Sequence, residues 1–190
     1  MRTIHHQFQQ RDFYEPTWKV KYLFLGTFNP MGGKPVNYYY GRKSNQTWKI
    51  LSKLFIEQFN VSDIDQLKRL LEKTGIACMD LIHTVRAPEE RVDKILGKGY
   101  NDSKIINKSV IRDYNTDRIL SIINANKDVK VYSTWGKGPS LKEWKAEVQR
   151  IDNKASIVQL VSPSMVAKVP VGNKKFDYMV ADWNQKIKKR

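Results

Sequence analysis

The 190-residue chain contains a single cysteine, Cys78, and only three histidines. One cysteine excludes an intrachain disulfide, and iron–sulfur or cysteine-based zinc sites need several thiolates, or thiolates with histidines at fixed spacing. No run approaches the roughly 20 apolar residues of a membrane span. Residues 1–20 contain no apolar core of signal-peptide length. We therefore expect a cytoplasmic protein without a membrane segment, a metal or a cofactor.

Acidic residues are scarce relative to basic ones, 19 Asp and Glu against 34 Lys and Arg, which gives a formal net charge of +15. Hydrophobic residues make up 41% and charged residues 28%, a composition typical of folded soluble domains. A surplus of this size predicts a polyanionic partner, with nucleic acid ahead of an anionic membrane surface. Basic residues are concentrated in residues 86–104 and 168–190.

The apolar pattern predicts an alternation of strands and helices. Short, nearly continuous apolar runs predict four buried strands, at 22–26, 75–79, 129–133 and 157–161. Helical spacing predicts helices at 44–59, 62–74, 116–126, 139–148 and 173–188. This order indicates a single α/β domain over 1–190, with a central four-stranded parallel sheet flanked by helices on both faces. We expect residues 1–20 to be an N-terminal extension, 184–190 a basic tail, and 84–103 an irregular loop.

Ligands of such folds bind at the carboxyl ends of the parallel strands, so the segments that follow the strands are the candidates for chemistry. The first of these contains Gly-Thr-Phe-Asn-Pro at 26–30, three tyrosines at 38–40 and Asn-Gln-Thr-Trp at 45–48. The others contain Asp80-Leu-Ile-His83, Asn-Asp at 101–102, and Ser-Pro-Ser-Met at 162–165. Three adjacent tyrosines can form a stacking wall for a flat base, or they can cap the sheet.

These motifs, in this order, resemble the uracil-DNA glycosylase superfamily, and most closely its mismatch-specific and hypoxanthine-type branches. The resemblance runs from about Tyr22 to Trp183. It implies a hydrolase that flips a base out of DNA and cleaves its N-glycosidic bond without a cofactor. The first motif also resembles the opening of nucleotidylyltransferases, but the His-x-x-His clamp of those enzymes is absent, because no histidine lies between His6 and His83.

The resemblance also implies roles for individual residues. It makes Asn29 and Asn45 the catalytic residues, since an amide can align the attacking water. The base-binding residues it implies are Phe28, Tyr39, Tyr40, Asp80 and His83. The DNA-binding residues it implies are Ser162 and Ser164 on phosphates, Met165 (or Val166) as a wedge between bases, and Lys168. Ser162 stands where the main enzymes of the superfamily carry a histidine, so activation of the leaving base would be weaker or come from elsewhere.

Each of these residues also has an ordinary structural interpretation. Asn29 can be a turn residue, and Asn45 can satisfy free N–H groups at a helix start. Asp80 can cap the loop that follows its strand, and His83 can be a hydrogen-bonded structural residue. If Asp80 instead faced the base as an acceptor, it would disfavour uracil and favour the N–H-rich edges of deaminated purines.

The sequence thus predicts a monomeric DNA glycosylase that removes a deaminated or mispaired base: hypoxanthine, xanthine or uracil. The alternative is a catalytically weak or inactive relative that binds nucleic acid as a recognition module. An enzyme releases free base, whereas a module binds and leaves the glycosidic bond intact.

Binding to duplex DNA should depend steeply on salt, because the basic surplus releases counterions from the phosphates that it contacts. We expect the logarithm of the binding constant to fall linearly with the logarithm of salt concentration, with a slope of about −0.9 per phosphate neutralised. Fluorescence anisotropy with a labelled duplex between low and moderate salt measures this slope. A slope near zero would contradict a nucleic-acid partner for this chain.

Overall fold

The structure is a computed structural model that describes residues 1–97, 102–135 and 139–188, with the backbone alone at 139–141. Within these ranges the chain forms seven strands: β1 Arg2–His5, β2 Tyr22–Gly26, β3 Ile76–Asp80, β4 Ile82–Ala87, β5 Ile111–Tyr114, β6 Lys130–Ser133 and β7 Ile157–Gln159. It also forms six α-helices: α1 Thr47–Phe55, α2 Ile64–Thr74, α3 Glu89–Leu96, α4 Thr116–Ala125, α5 Lys145–Asp152 and α6 Lys175–Lys188. Short 3₁₀ turns span Asp102–Lys104 and Pro139–Trp144.

Four of the strands form the central parallel sheet, in the order β3-β2-β6-β7. Gly26 pairs with Asp80, and Leu25 pairs with Ser133, so the carboxyl ends of the strands lie at one edge of the sheet. These are the four strands that the apolar runs predict, and the predicted α/β class is confirmed. The fold is consistent with the one that the glycosylase resemblance implies.

Side chains that alternate along each strand build a separate core on each face of this sheet. Leu23 and Leu25 of β2 belong to the first core, which α3, α4 and α5 cover. Phe24 belongs to the second core, which α1, α2 and α6 cover, and its ring stacks on Tyr132 and Trp183. Helices therefore flank both faces, as predicted.

Helix α2 shows why the helix limits are close to those predicted. Its N-cap is Asp63, whose side chain accepts a hydrogen bond from the Gln66 N–H, one residue after the predicted start at Ser62. It ends at Gly75, which has a φ of 70°. A left-handed residue at this position favours glycine, and it turns the chain directly into β3.

A second, antiparallel sheet was not predicted. Its order is β1-β4-β5, and it packs its buried residues against the first core. The expectation of an irregular loop at 84–103 was wrong, since β4 and α3 occupy most of its first part. These strands are short, and in β1 only Ile4 is buried, so they produce no apolar run. Residues 98–101 lie outside the described part of the chain.

The N-terminal segment is also part of the folded core and not an extension. Phe8, Phe13 and Tyr14 are buried in the second core, and Val20 is buried in the first. At the other end, the expected basic tail at 184–190 is helical through Lys188, with Ile187 buried, and residues 189–190 lie outside the described part. The described helices include none that is long and apolar enough to cross a bilayer.

Replacing Phe8 with alanine should therefore destabilise the whole domain. Phe8 is buried among the rings of Phe13, Tyr38 and Tyr39, and removal of a buried phenylalanine side chain costs about 3–5 kcal/mol. Urea denaturation measures the loss, with the fully exposed Val171→Ala as control. An unchanged midpoint for Phe8→Ala would show that residues 1–20 are indeed peripheral.

Candidate functional site

The candidate site lies at the carboxyl edge of the parallel sheet, where β2 and β3 end side by side. Pairing between the two chain segments continues beyond the strands. The Leu81 N–H donates to the Gly26 carbonyl at 2.9 Å, and the Ile82 N–H donates to the Thr27 carbonyl at 3.0 Å. The loop after β2, which carries Phe28 and Asn29, is therefore held directly against the segment that follows β3.

The Asp80 carboxylate is the centre of this edge, and its residue is only 2% exposed. Its Oδ2 accepts one hydrogen bond from His6 Nε2 at 2.9 Å and another from Asn29 Nδ2 at 2.7 Å. Burying a carboxylate costs free energy unless the group is paired and hydrogen-bonded. The His6 and Asn29 donors meet this need. Asp80 therefore fixes the side chain of Asn29.

The orientation of the His6 ring follows from its second contact. The Phe8 backbone N–H, which can only donate, lies 3.2 Å from His6 Nδ1. Nδ1 must therefore be the acceptor, and Nε2 carries the proton that is donated to Asp80. The ring is fully buried between Phe8, Tyr14, Phe28 and Tyr39.

Glycine at position 26 makes room for the carboxylate. A Cβ at Gly26 would lie 2.1 Å from Asp80 Oδ1, far inside van der Waals contact. The Asp80 side chain thus packs directly on the backbone at the end of β2. Any residue larger than glycine there would displace it and, with it, Asn29.

The N-terminal segment holds the same loop through its backbone. The Gln7 N–H donates to the Asn29 carbonyl at 2.9 Å, and the Met31 N–H donates to the His5 carbonyl at 2.7 Å. Together with the His6 side chain, these bonds fix the position of Asn29 from both sides. Asn29 Oδ1 accepts no hydrogen bond from the described part of the chain, so it is the atom that a bound water could contact.

A second carboxylate, that of Asp102, lies near the first. Asp102 Oδ2 accepts a hydrogen bond from Thr27 Oγ1 at 3.0 Å. Burial, together with the negative charge of Asp80, raises the pKa of Asp102 to about 6, although the Thr27 hydroxyl and the positive charge of Arg42 act in the opposite direction. A carboxyl group with such a pKa changes its charge close to neutral pH.

The three aromatic residues that the resemblance assigns to base binding have different positions. Phe28 is buried, and its ring packs against His6 at the candidate site. Tyr39 is fully buried in the aromatic core, so the structure does not present its ring to a ligand. Tyr40 lies at the site, where its hydroxyl and that of Thr134, just after β6, are 3.2 Å apart.

Asp80 and His83 both have hydrogen-bond partners within the fold. Asp80 is buried with its donors in place, so the expected direct contact with a base, and the preference for deaminated purines argued from it, have no support in the structure. His83 contacts Gln9 Nε2 at 2.7 Å and the Tyr14 hydroxyl at 2.9 Å through its two ring nitrogens. Burial lowers the pKa of His83. This is the structural arrangement that the sequence left open for it.

Asn45 and the loop after β7 lie next to each other. The Gln46 N–H donates to the Pro163 carbonyl at 2.8 Å, and the Met165 N–H donates to the Ser44 carbonyl at 3.0 Å. Ser164 forms an isolated bridge with Asn45. Asn45 Oδ1 accepts the Thr47 N–H at 2.9 Å, so this side chain satisfies a free group at the start of α1.

The same loop is the most apolar exposed segment at this edge. Met165 is 44% exposed and Val166 is 86% exposed. Ser162 and Ser164 are partly buried, and Lys168 is exposed. Ser162 Oγ and the Ser164 N–H lie 3.4 Å apart in a compact turn. The geometry leaves Met165, Val166 and Lys168 accessible to a partner.

The site thus consists of two groups of residues along one edge. Phe28, Asn29, Asp80 and Asp102 form one group near the ends of β2 and β3. Asn45, Ser162 and Ser164 form the other, beyond β7. Tyr40 and Thr134 lie between the groups. Within the described ranges, no hydrogen bond joins Asn29 to Asn45.

His6 was not identified from the sequence, and Thr27, Asp102 and Thr134 were given no role there. The contact between His6 and Asp80 joins residues 74 positions apart, and nothing local to His6 signals it. No three His, Cys, Asp or Glu side chains of the described residues are placed to hold a metal ion. Comparisons of the chain with protein-family models, with curated proteins and with solved structures find no match. The glycosylase resemblance therefore remains a prediction from its motifs.

Replacing His6 with alanine should destabilise the protein and loosen Asn29. Removing one partner of a buried charge leaves that charge undercompensated, at a cost of about 3–5 kcal/mol. Thermal or urea unfolding measures this loss. His5→Ala is a matched control, because the neighbouring His5 is exposed and its side chain hydrogen-bonds only Gln9 among the described residues. Equal stability of the two variants would contradict the central role given to the His6–Asp80 contact.

Proposed function

We propose that the protein is a DNA glycosylase that hydrolyses the N-glycosidic bond of a deaminated or mispaired base. The observation that carries the proposal is the amide of Asn29, which a buried carboxylate orients at the carboxyl edge of the parallel sheet. A site there, with an acceptor left for water, fits a hydrolase that needs neither metal nor cofactor.

Cleavage of the N-glycosidic bond requires groups that stabilise the positive charge that develops on the sugar. Asn29 Oδ1 is placed to align a water molecule, and the carboxylates of Asp80 and Asp102 provide negative potential nearby. Fixed charges and dipoles that stabilise developing charge often contribute more to enzyme catalysis than any other effect. An amide that only aligns water can then suffice, although it is too weak to act as a base.

The loop after β7 has polar and apolar side chains that can hold DNA around a flipped nucleotide. Ser162 and Ser164 can donate to phosphates, and the exposed Met165 and Val166 can enter the space that a flipped base leaves. Lys168 and the net charge of +15 supply attraction to the backbone. Action on DNA as a cytoplasmic monomer is part of this proposal.

A second candidate is a nucleic-acid-binding module without catalysis. It is favoured by the side chain of Asn45, whose Oδ1 is committed to the Thr47 N–H, and by a serine at position 162. The two candidates are distinguished by incubating the protein with duplexes that each carry one uracil, hypoxanthine, xanthine or G·T mismatch. Free base detected by mass spectrometry, with alkali-labile strands, supports the glycosylase, whereas binding without release supports the module.

Asn29→Ala and Asn45→Ala should each lower the single-turnover rate of base release and leave duplex binding nearly unchanged. Loss of a group that acts in the transition state reduces the rate by about 10²-fold or more. Rates are measured by alkaline strand cleavage, and binding is measured by anisotropy with the same duplex.

Two further variants provide the controls. Asn37→Ala removes an amide from the same loop as Asn29 and should have no effect, because the Asn37 side chain hydrogen-bonds only the Val61 carbonyl among the described residues. Asn45→Ser keeps a side-chain oxygen that can accept the Thr47 N–H but removes the amide. Full activity of Asn45→Ser would show that Asn45 serves the helix alone, and full activity of Asn29→Ala would refute the site.

A further inference from the structure

The carboxylates of Asp80 and Asp102 differ in which of their oxygen atoms can still contact a bound molecule. Asp80 is buried, has two donors on Oδ2, and packs its Oδ1 against Gly26. Asp102 is only partly buried and has a single donor, Thr27, on Oδ2. Its Oδ1 accepts no hydrogen bond from the described residues. Of the two, only Asp102 can contact a bound molecule without a rearrangement.

Asp102 is also tied to the loop that carries Asn29. Its donor, Thr27, begins that loop two residues before Asn29, and the Thr27 carbonyl is itself held by the Ile82 N–H. Asn29 hydrogen-bonds Asp80, and the negative charge of Asp80 acts on Asp102 and raises its pKa. This arrangement sets an acceptor amide and an available carboxylate at the same end of β2.

From this geometry we infer that Asp102 is the general base of the site, and that it takes a proton from the water that Asn29 aligns. The inference rests on the function proposed above and assigns a step that the amides cannot perform. An amide can accept a hydrogen bond, but it cannot accept a proton at neutral pH. A carboxylate can do both, and Thr27 holds Asp102 in place through the other oxygen.

The step is a hydrolysis. The bond from C1′ to the base nitrogen breaks, and its electron pair leaves with the base. The water oxygen forms a bond to C1′, and one water proton passes to Asp102 Oδ1. The departing base takes up a proton from solvent, and Asp102 then returns its proton to solvent, so that the net reaction consumes one water and releases free base and an abasic site.

The charges around Asp102 suit such a role. Burial and the negative charge of Asp80 raise the pKa of Asp102 to about 6, against the Thr27 hydroxyl and the positive charge of Arg42, which both lower it. A base with a pKa just below the working pH is ionised and still accepts a proton readily, which is the favourable range for general base catalysis. The rate of base release should rise with pH up to about 6 and then level off.

The raised pKa of Asp102 also makes a prediction about stability, which tests the surroundings of Asp102 independently of the reaction. Because the pKa of Asp102 lies above the ordinary aspartate value of 3.8, its ionisation is less favourable in the folded state than in the unfolded state. The ionised group therefore costs stability above pH 6, and this cost disappears as the pH falls below about 4. A neutral side chain of the same shape should remove that cost.

The decisive variant is Asp102→Asn, which keeps the size of the side chain and an oxygen for the Thr27 hydroxyl. We expect its single-turnover rate of base release at pH 7.5 to fall by about 10²-fold or more. The rise in rate towards pH 6 should be lost, and duplex binding should be retained. Its melting temperature should exceed that of the wild type at pH 8 and match it at pH 4.

Asp113→Asn is the matched control, since Asp113 also accepts a threonine hydroxyl, from Thr84 at 2.6 Å, but lies on β5. It should leave the pH profile of base release unchanged. If the wild type releases base and Asp102→Asn keeps the full rate and the same pH profile, the assignment of Asp102 is overturned and the proposed function stands. If the wild type releases no base from any of the four duplexes, the proposed function fails and the role of Asp102 fails with it.

Discussion

The buried carboxylate of Asp80 is the constraint on which the rest of this edge depends. A charge at 2% exposure must be hydrogen-bonded, and its two side-chain donors come from His6 and Asn29, which are far from it in sequence. The need for these donors ties the N-terminal segment and the first loop to the end of β3. Glycine at position 26 follows from the same constraint, because the carboxylate occupies the space of a side chain.

This arrangement explains how a short loop without secondary structure can hold the Asn29 side chain in one position. Asn29 is fixed by its side chain, through Asp80, and by its carbonyl, through the Gln7 N–H. Catalytic groups act best when the protein holds them in position before the substrate binds. Asp80 is therefore a positioning residue, and Asn29 is the group that it presents.

The parallel sheet could be predicted from the sequence because its strands are buried on both faces and appear as apolar runs, and β2 begins and ends where its run does. The antiparallel strands could not, since β1 buries a single side chain and β4 carries Arg86 and His83 among its apolar residues. The bridge between Asn45 and Ser164 was not among the predictions from the sequence. The contact between His6 and Asp80 could not be predicted, because it depends on β1 pairing with β4 in a sheet that no periodicity revealed.

Asp80 and Asp102, which lie at the same edge, differ in their burial and in their hydrogen bonds. Asp80 has its donors within the fold and serves the architecture, whereas Asp102 has one donor and bears the repulsion of Asp80. Asp80 thus acts twice: its hydrogen bond orients the amide, and its charge raises the affinity of Asp102 for a proton. In the mechanism that we propose, this one buried group prepares both the alignment and the deprotonation of the water molecule.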